Sequence, residues 1–568
     1  MIGRFTAPGP RGRWRWAPAA ATAAALIIAL VLTTSGSAEL FGAPEGGRAP
    51  RVRPRSLPPA PAHVTISDRT PTMAVPRSFL GFSTEYWALP PWASQMPLLE
   101  RVISLVHVAG GGPMILRVGG DSADHSFWEP REPHLPRWAF TIEPAWLAQA
   151  RQLVTHLGVR LILDLNLITD SPAQATLWAQ AAQAALPHGS ITALEVGNEP
   201  DIYSRHAWLT ITAGRQYLGR PLPSALSAAD YVRDFHAYAR ALGQVAPHVM
   251  LAGPALARPT AHAGWVGTLI AGARRSLGIV TVHRYPLSGC VHRASDIFPT
   301  VGRVLSPQIS QGMAAALRPV IDAAHDAGLP VRMTELNSVN CGGRAGVSDT
   351  FATALWAPDA LFGLLHAGID SVNLHVRADT INAPFALNTG GLNARPLLYG
   401  LIFFARALGP QARLVMPVTR ARPSLNLQAY GVRTGTNTLH VVLLDKGRRS
   451  VRVALHLPAT ADASVQRLTA PSAGSRSGVT LGGRWLSRDG QWRGAAIRQV
   501  VTRRGGVYSV ELRQATAAML TVRVAPGALG APAASPAPSA RPAREASSAR
   551  PVREASSARA VRPARSAG

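Results

Sequence analysis

Eight short apolar runs alternate with longer amphipathic stretches between about residues 78 and 408. The runs hold four to six residues each and are typical of strands buried on both faces: 79–83, 114–118, 160–165, 193–197, 249–253, 279–283, 331–334 and 371–375. Segments with helical periodicity lie between most of them, such as 144–157, 172–185, 229–246 and 313–327. Eight strands alternating with helices predict an α/β fold, a (β/α)8 TIM barrel over residues 78–408. An open doubly wound sheet is the alternative, but no phosphate-binding Gly-rich turn follows the first run.

The pattern changes after residue 408. The runs 439–444, 451–457, 465–469 and 507–512 are short, β-branched or alternating, and separated by Gly, Pro and Ser. This pattern predicts a C-terminal β-sandwich domain over residues 409–525. Residues 62–77 are also strand-like, and we expect them to pack with that domain.

The two ends of the chain differ from its body. In residues 1–38, four arginines precede an apolar run and a stretch of small residues, which predicts a signal peptide or a membrane anchor. We therefore expect an exported protein that is extracellular, periplasmic or anchored to the outer face of the cell membrane. Residues 39–61 form a Pro/Arg-rich linker. Residues 526–568 are rich in Ala, Pro and Arg and have no apolar face, which predicts a disordered tail.

The formal net charge is +27, and arginine supplies nearly all of it because Lys446 is the only lysine. A genome that favours arginine codons is one explanation. The functional alternative is attraction of the basic tail to an anionic polymer or membrane surface. The sequence has no zinc-finger spacing, aromatic-rich RNA motif or basic recognition helix, so no nucleic acid is expected as a partner.

Two glutamates close predicted strands that lie far apart in the sequence, in Asn198-Glu199-Pro200 and Thr334-Glu335-Leu336. Both would emerge on one face of a parallel barrel, where such barrels carry their chemistry. Paired carboxylates about 5 Å apart are what retaining glycoside hydrolysis requires, one as proton donor and one as nucleophile. Asn198 is a candidate ligand of the sugar 2-hydroxyl.

Further polar side chains follow other predicted strands. Glu85 and Asp121 lie just past the first and second strands and are candidates for binding sugar hydroxyls. Tyr285 follows the sixth strand and could donate to Glu335. His283 and His375 also lie at strand ends, and we expect both to be core histidines. No His-x-x-x-His or clustered Cys/His spacing occurs, so neither a metal nor a cofactor is expected.

Several strings occur together in a characteristic order: Ile115-Leu-Arg-Val-Gly-Gly-Asp-Ser-Ala-Asp124, Val196-Gly-Asn-Glu-Pro-Asp201, His283-Arg-Tyr-Pro286, Glu335-Leu-Asn-Ser, Cys341-Gly-Gly, Ser348-Asp-Thr-Phe-Ala352 and Arg395-Pro-Leu-Leu-Tyr399. Over residues 63–525 the chain resembles glycoside hydrolase family 79, which contains heparanases and bacterial β-glucuronidases. The resemblance implies a retaining mechanism with Glu199 as acid/base and Glu335 as nucleophile.

The resemblance also implies how a uronate carboxylate would be recognised. The backbone amides of Gly342 and Gly343 and the side chain of Tyr399 match that role. Asn340 stands where well-known members have a tyrosine, so 4-O-methyl-glucuronate and a neutral sugar remain alternatives to glucuronate. The two cysteines, Cys290 and Cys341, fall on neighbouring barrel loops and could form a disulfide that braces them.

We therefore expect an exo-acting β-glucuronidase that hydrolyses terminal β-linked glucuronate or 4-O-methyl-glucuronate, with a glucuronide or uronate-containing glycan as its partner. The alternatives are an endo-acting heparanase-like enzyme, a β-glycosidase for neutral sugars, and a non-catalytic polysaccharide- or wall-binding protein.

Overall fold

A computed structural model describes residues 58–128, 139–205, 226–378, 380–459, 461–525 and 529. The predicted signal segment, nearly all of the predicted linker and nearly all of the predicted tail lie outside these residues. Strands and helices are numbered in chain order. Two strands precede the barrel, β1 (Ala60–Thr65) and β2 (Thr72–Ala74).

Eight parallel strands close into a barrel in the order β10-β12-β14-β3-β4-β7-β8-β9. They are β3 (Leu80–Glu85), β4 (Ile115–Gly119), β7 (Arg160–Leu165), β8 (Ile191–Val196), β9 (Met250–Leu256), β10 (Leu277–Arg284), β12 (Val331–Leu336) and β14 (Ser371–His375). Each predicted apolar run overlaps one of these strands, and the predicted TIM barrel is confirmed.

The helices follow the strands as the alternating pattern predicts. They are α1 (Leu89–Ala93), α2 (Met96–Val106), α3 (Pro144–Leu157), α4 (Pro172–Ala185), α5 (Ala228–Val245), α6 (Ala263–Ala273), α7 (Val301–Val304), α8 (Met313–Ala315), α9 (Arg318–Asp326), α10 (Phe351–Ala367) and α11 (Pro396–Ala407). Helix α4 begins where the sequence supplies a start signal, because Ser171 caps it and Pro172 occupies its first turn. Among the described helices, none has both the length and the apolar character that crossing a bilayer requires.

Short strands extend the loops that follow the barrel strands. They are β5 (Ser126–Trp128), β6 (Phe140–Ile142), β11 (Leu287–Ser288), β13 (Val339–Asn340), β15 (Phe385–Asn388) and β16 (Gly391–Ala394). They pair as β5 with β6, β11 with β13, and β15 with β16. The β11–β13 pair links the loops after β10 and β12, whereas each of the other two pairs lies within one loop, the one after β4 or the one after β14. Regular structure therefore supports the face at the carboxyl ends of the strands.

The C-terminal part forms a β-domain. Its strands are β17 (Arg413–Val415), β18 (Val418–Arg420), β19 (Leu427–Thr434), β20 (Thr438–Asp445), β21 (Val451–His456), β22 (Ala463–Thr469), β23 (Thr480–Leu481), β24 (Trp485–Leu486), β25 (Trp492–Arg493), β26 (Gln499–Val501), β27 (Tyr508–Leu512) and β28 (Thr516–Arg523). They make a four-stranded sheet, β18-β1-β21-β27, and a larger one ordered β2-β17-β19-β20-β28-β22-β23. Strand β1 is therefore an inner strand of one sheet and β2 an edge of the other.

A buried polar cluster joins the barrel to the β-domain. The ammonium group of Lys446, at the end of β20, bonds to the carboxylate of Asp359 on α10 and lies 3.1 Å from the Ser310 hydroxyl. The hydroxyl of Tyr430 on β19 donates to the same carboxylate over 2.6 Å. A buried charge is tolerated when it is paired and hydrogen-bonded, and here Lys446 pairs with Asp359, whose carboxylate accepts bonds at both of its oxygens.

Candidate active site

Glu199 and Glu335 come together at the carboxyl ends of the barrel strands. One carboxylate oxygen of each lies within 4.8 Å of the other, and the Nδ1 atom of His283 lies within the same distance of both. The side chain of Glu335 is 7% exposed, whereas that of Glu199 is 15% exposed. Two carboxyl groups this close, one of them open to an incoming ligand, match the spacing of a retaining glycosidase and leave no room for a water between them.

The loop after β8 presents Glu199 in an uncommon backbone conformation. Its φ is +51°, in the left-handed region, and its N–H donates to the carbonyl of Ala255 over 3.1 Å. The following Asp201 accepts hydrogen bonds from the backbone N–H groups of Ala257 and Arg258. These bonds hold the loop against the one after β9, so a backbone fixed by hydrogen bonds directs the Glu199 side chain.

Glu335 lies on β12 and is held from two sides. The Nη1 atom of Arg117 donates to its Oε1 over 2.7 Å, and the hydroxyl of Tyr285 donates to its Oε2 over 2.6 Å. The Nδ1 atom of His375 is 3.7 Å from Oε1. Charge-assisted bonds of this length restrict the orientation of the carboxylate and favour its ionised form.

Arg117, on β4, is the centre of a fully buried network beneath the two glutamates. Its other nitrogens donate to Glu195 over 2.7 Å, to Asp164 over 2.6 Å and to the side-chain oxygen of Asn198 over 3.0 Å. The hydroxyl of Thr334 donates to the second oxygen of Glu195. One guanidinium thus ties strands β4, β7, β8 and β12 together and connects to Glu335 and to the neighbour of Glu199.

The sequence reasoning missed Arg117, although a signal was present. A charged residue in the middle of an apolar strand, between Leu116 and Val118, must be paired if it is buried. The expectation that His283 and His375 are ordinary core histidines was wrong for a related reason. Both are buried, but His283 lies 3.0 Å from Glu199 and His375 faces Glu335, because the inward-pointing ends of barrel strands meet at the site.

The surroundings shift the pKa values of the two glutamates in opposite directions. Burial raises the pKa of Glu199, and the negative charge of Glu335 raises it further, although the hydrogen bond from His283 opposes both. Burial alone would also raise the pKa of Glu335, but the charges of His375, His283 and Arg117 and the Tyr285 hydrogen bond outweigh it and lower the pKa. Arg117 stays charged throughout the physiological range, so its share of the lowering persists when the two histidines are neutral. The two groups therefore differ: Glu199 holds its proton more tightly than a free carboxyl group, and Glu335 gives its proton up more readily.

The three candidate sugar ligands differ in their surroundings. Asn198 is 1% exposed, and its side-chain oxygen is taken by Arg117, which directs the amide N–H groups away from that bond. Glu85 is buried and accepts the backbone N–H of Ser122; burial and the charge of Asp121 raise its pKa to about 8. Asp121 is about half exposed, 3.5 Å from Arg377, and its charge raises the pKa of Glu199 as well. All three therefore belong to the surroundings of the paired glutamates.

The loop that follows Glu335 is braced as the positions of the cysteines suggest. Cys290 and Cys341 form a disulfide, and β11 pairs with β13, which ends at Asn340. The side-chain oxygen of Asn340 is buried without a partner among the described residues. These links hold the loops after β10 and β12 against each other beside Glu335.

The two glycines of this loop are not equivalent. The N–H of Gly343 donates to the carbonyl of Asn340 over 3.0 Å, so it closes a turn and does not offer itself to an anion, contrary to the expectation. The carbonyl of Gly342 accepts from Ile381, and its N–H makes no bond within the described residues. Both glycines have φ above +70°, a conformation in which a side chain would be strained.

Tyr399 lies elsewhere, and its expected role is corrected. Its hydroxyl accepts the backbone N–H of Leu486 over 2.8 Å, and its ring packs edge-on against Trp492. Both partners belong to the β-domain. Because α11 is packed between the barrel and that domain, the tyrosine joins the two, and none of its described contacts reaches either glutamate.

Glu199, His283 and Glu335 present the one grouping of side-chain donors, within the described residues, that is compact enough for a metal ion. Arg117 already places a fixed positive charge 2.7 Å from Glu335, and His283 is bonded to Glu199. A second cation would be repelled there. The donor set is better suited to moving a proton than to ligating a metal.

Comparison with known proteins agrees with this fold. Residues 424–519 match the glycosyl hydrolase family 79 C-terminal beta domain. A β-glucuronidase of Aspergillus niger is 22% identical over 509 residues, covering 78% of this chain and 90% of that protein; one of Neurospora crassa is 23% identical over 388 residues, covering 61% and 66%. The crystal structure of a 4-O-α-L-rhamnosyl-β-D-glucuronidase from Fusarium oxysporum superposes with a TM-score of 0.66 at 18% identity, covering 81% of this chain and all of that one.

A parallel barrel with two facing carboxyl groups of opposite pKa shift, followed by this β-domain, defines a glycoside hydrolase. Within that class, residues 424–519 match the C-terminal beta domain of glycoside hydrolase family 79, and most of the chain is similar to β-glucuronidases.

Proposed function

We propose that the protein is a retaining β-glucuronidase that removes terminal β-linked glucuronate from a glycan or conjugate. The observation that carries the proposal is the pair of carboxyl groups within 4.8 Å of each other, one raised and one lowered in pKa. The relatives named above, which are β-glucuronidases, support the choice of sugar.

In the first step, the carboxylate of Glu335 attacks the anomeric carbon from the face opposite the leaving group. Glu199 gives its proton to the glycosidic oxygen as the bond to that oxygen breaks. The aglycone leaves as a neutral alcohol, and the sugar remains as an ester of Glu335. Glu199 is now a carboxylate.

In the second step, Glu199 takes a proton from a water molecule, whose oxygen attacks the anomeric carbon. The ester bond breaks and releases the carboxylate of Glu335 and a sugar of unchanged anomeric configuration. Both groups have returned to their starting protonation states. His283 lies 3.0 Å from Glu199 and stays hydrogen-bonded to it whether Glu199 is protonated or ionised, which keeps the oxygens of Glu199 oriented.

The surrounding residues position the reacting groups. Arg117 and Tyr285 hold the two oxygens of Glu335, so the carboxylate does not have to be oriented during the reaction. The amide N–H of Asn198 would donate to the sugar 2-hydroxyl, a contact that strengthens in the oxocarbenium-like transition state. Asp121 would accept from sugar hydroxyls, and the protonated form of Glu85 could both donate and accept.

Recognition of the uronate carboxylate is assigned to the loop after β12. The N–H of Gly342 and the side-chain amide of Asn340 are its donors, and the disulfide next to them limits loop motion. The amide of Asn340 is smaller than the phenol of the tyrosine that well-known members have there, so it leaves space beside the sugar. The test therefore includes glucuronides that carry a 4-O-substituent.

We further propose that the protein acts outside the cytoplasm. The disulfide between Cys290 and Cys341 is a bond that persists in oxidising compartments, and the basic and apolar pattern of residues 1–38 supports export. Fractionation of producing cells, with N-terminal sequencing of the mature protein, tests this. Recovery of the unprocessed chain in the cytosol would contradict it.

The experiment that tests the function is a panel of aryl glycosides followed by NMR of the first-formed anomer. We expect hydrolysis of aryl β-glucuronide, with β-glucuronic acid as first product, and little activity on aryl β-glucoside or β-xyloside. The variant Glu335→Gln keeps the shape of the nucleophile and should lower kcat by about three orders of magnitude or more. Preferred cleavage of a neutral glycoside, an α-anomer as first product, or parental turnover by Glu335→Gln would each contradict the proposal.

A further inference from the structure

The positive charge of this protein is concentrated in the β-domain. Residues 411–525 hold 18 basic and 4 acidic residues, a net charge of +14, whereas residues 56–410 hold 25 basic and 23 acidic residues. A preference for arginine codons would act on both parts of one gene alike. It explains the scarcity of lysine but not the depletion of acidic residues in the β-domain alone.

Part of this charge is gathered on one face of the four-stranded sheet β18-β1-β21-β27. In β1 and β21 buried and exposed residues alternate, so one side of the sheet faces the domain core and the other faces solvent. Arg420 pairs in register with His63, and Arg452 with Pro61. All four are exposed, and the ring of His63 stacks on that of His456, also on the outer side.

The loops at the same end of the sheet add three more arginines. Strand β18 runs antiparallel to β1. Arg422, two residues past Arg420, therefore lies toward the paired residues Pro61 and Arg452. Arg448 and Arg449 form the exposed turn before β21, next to the N–H of Ala60, which donates to Ser450. With strands about 4.8 Å apart and residues about 3.3 Å apart along them, these positions fall within about 20 Å. We call Arg420, Arg422, Arg448, Arg449 and Arg452 the basic face.

Little negative charge compensates the basic face. Glu511 on β27 lies 3.3 Å from Arg452, and the other four arginines form no ion pair within the described residues. Val418 is the one large apolar side chain of this sheet that is exposed in the part of the chain the structure describes. A surface this charged and this poor in apolar area is unsuited to a hydrophobic protein interface or to insertion in a bilayer.

We propose that the basic face binds an acidic polysaccharide, one that carries uronate or sulfate groups along its chain. The inference rests on the proposed function, which requires a glucuronate-containing substrate. Guanidinium groups pair with carboxylate and sulfate in a bidentate manner, and a row of them matches a linear polymer with one acidic group per sugar or disaccharide. The β-domain thus holds a polymer chain near the barrel and raises the local concentration of its ends.

The test uses the full-length protein with Glu335→Gln added, so that the polymer is bound but not cut. Binding to a soluble polyglucuronate is measured at several salt concentrations, with dextran as the neutral polymer. The variant R420Q/R422Q/R448Q/R449Q removes the four unpaired arginines of the basic face. The matched control R488Q/R498Q/R504Q/R523Q removes four exposed arginines elsewhere in the same domain. Both retain the same terminal segments, so any difference between them comes from the basic face.

We expect the basic-face variant to bind polyglucuronate at least about tenfold more weakly than the parent, and the control to change by less than about threefold. The slope of log K against log salt should fall by up to about 3 in the basic-face variant, since four charge contacts at about 0.7 each are lost. Equal losses in both variants, binding to dextran, or tighter binding to anionic vesicles than to the polymer would overturn the proposal.

The same substitutions in the parent sequence separate this inference from the proposed function. Their kcat/KM for aryl β-glucuronide should equal that of the parent, which also shows that they fold. Hydrolysis of the aryl glucuronide without polymer binding would refute the basic face and leave the proposed function standing. Polymer binding without hydrolysis of any glucuronide would refute the proposed function instead.

Discussion

Replacing Glu335 by glutamine should lower the pKa of Glu199. In the parent protein the negative charge of Glu335 raises that pKa, because two like charges at close range resist being present together. Glutamine has the same shape and no charge. Removing the repulsion makes ionisation of Glu199 easier, so its proton should be lost at a lower pH.

The size of the effect follows from the separation of the two groups. At the upper limit of 4.8 Å between the two oxygens, Coulomb's law gives about 3.5 kcal/mol at an effective dielectric constant of 20 and about 0.9 kcal/mol at that of water. These energies correspond to about 2.5 and about 0.6 pKa units. The site is largely buried. Neutralising Glu335 also removes a charge that raises the pKa of His283, whose own charge lowers the pKa of Glu199, and this offsets some of the change. We expect a fall of about 1 to 2 units.

The measurement is a pH titration by NMR of protein labelled with ¹³C in the side-chain carboxyl of glutamate, with Glu199→Gln used to assign the resonance. Glu85→Gln is the matched control. Burial and Asp121 raise the pKa of Glu85 to about 8, so its replacement at neutral pH removes no charge and should leave Glu199 unchanged. A pKa of Glu199 that stays within about 0.3 units in Glu335→Gln, or rises, would refute the assignment of the pair.

Three further predictions follow from named contacts. Tyr285→Phe removes a charge-assisted hydrogen bond to Glu335 worth about 1.5–3 kcal/mol, so the acid limb of the kcat/KM profile should move to higher pH by about 1–2 units. The control is Tyr430→Phe, which removes a similar bond to Asp359, far from the site. It should lower Tm without moving the pH profile. Arg117→Met leaves three buried carboxylates without their cation and should lower the free energy of unfolding in urea by about 3–5 kcal/mol, and a loss below 1 kcal/mol would show that the network is not coupled. The double variant Cys290→Ser/Cys341→Ser removes the disulfide between residues 51 positions apart and should cost up to about 4 kcal/mol of stability. It should also raise KM for the glucuronide, and an unchanged KM would mean that the disulfide does not shape the sugar site.

Much of the architecture was accessible from the sequence because it depends on local patterns. Apolar runs of strand length alternating with helical periodicity led to the barrel, and Glu199 and Glu335 at the ends of two runs had to share one face, since all strands of such a barrel point the same way. The same reasoning placed Tyr285 within reach of Glu335. Motif order then pointed to the family.

Features that depend on contacts between distant segments were not accessible in this way. Arg117 bonds to residues 47, 78, 81 and 218 positions away, and no periodicity reveals those partners. The N–H of Gly343 was assigned to an anion, but the turn that consumes it forms only when the loop folds. Tyr399 was carried over from the family pattern, and packing against the β-domain gives it a different role.

The sequence by itself determined the fold class, the two glutamates and the unequal charge of the two domains, because strand length, residue type and composition are properties of the chain. Tertiary structure decided how the carboxyl groups differ and where the charge acts. A pKa depends on burial and on charges brought within a few ångströms, and the basic face exists only because β18 and β21 pair with β1, which precedes them by some 350 residues or more.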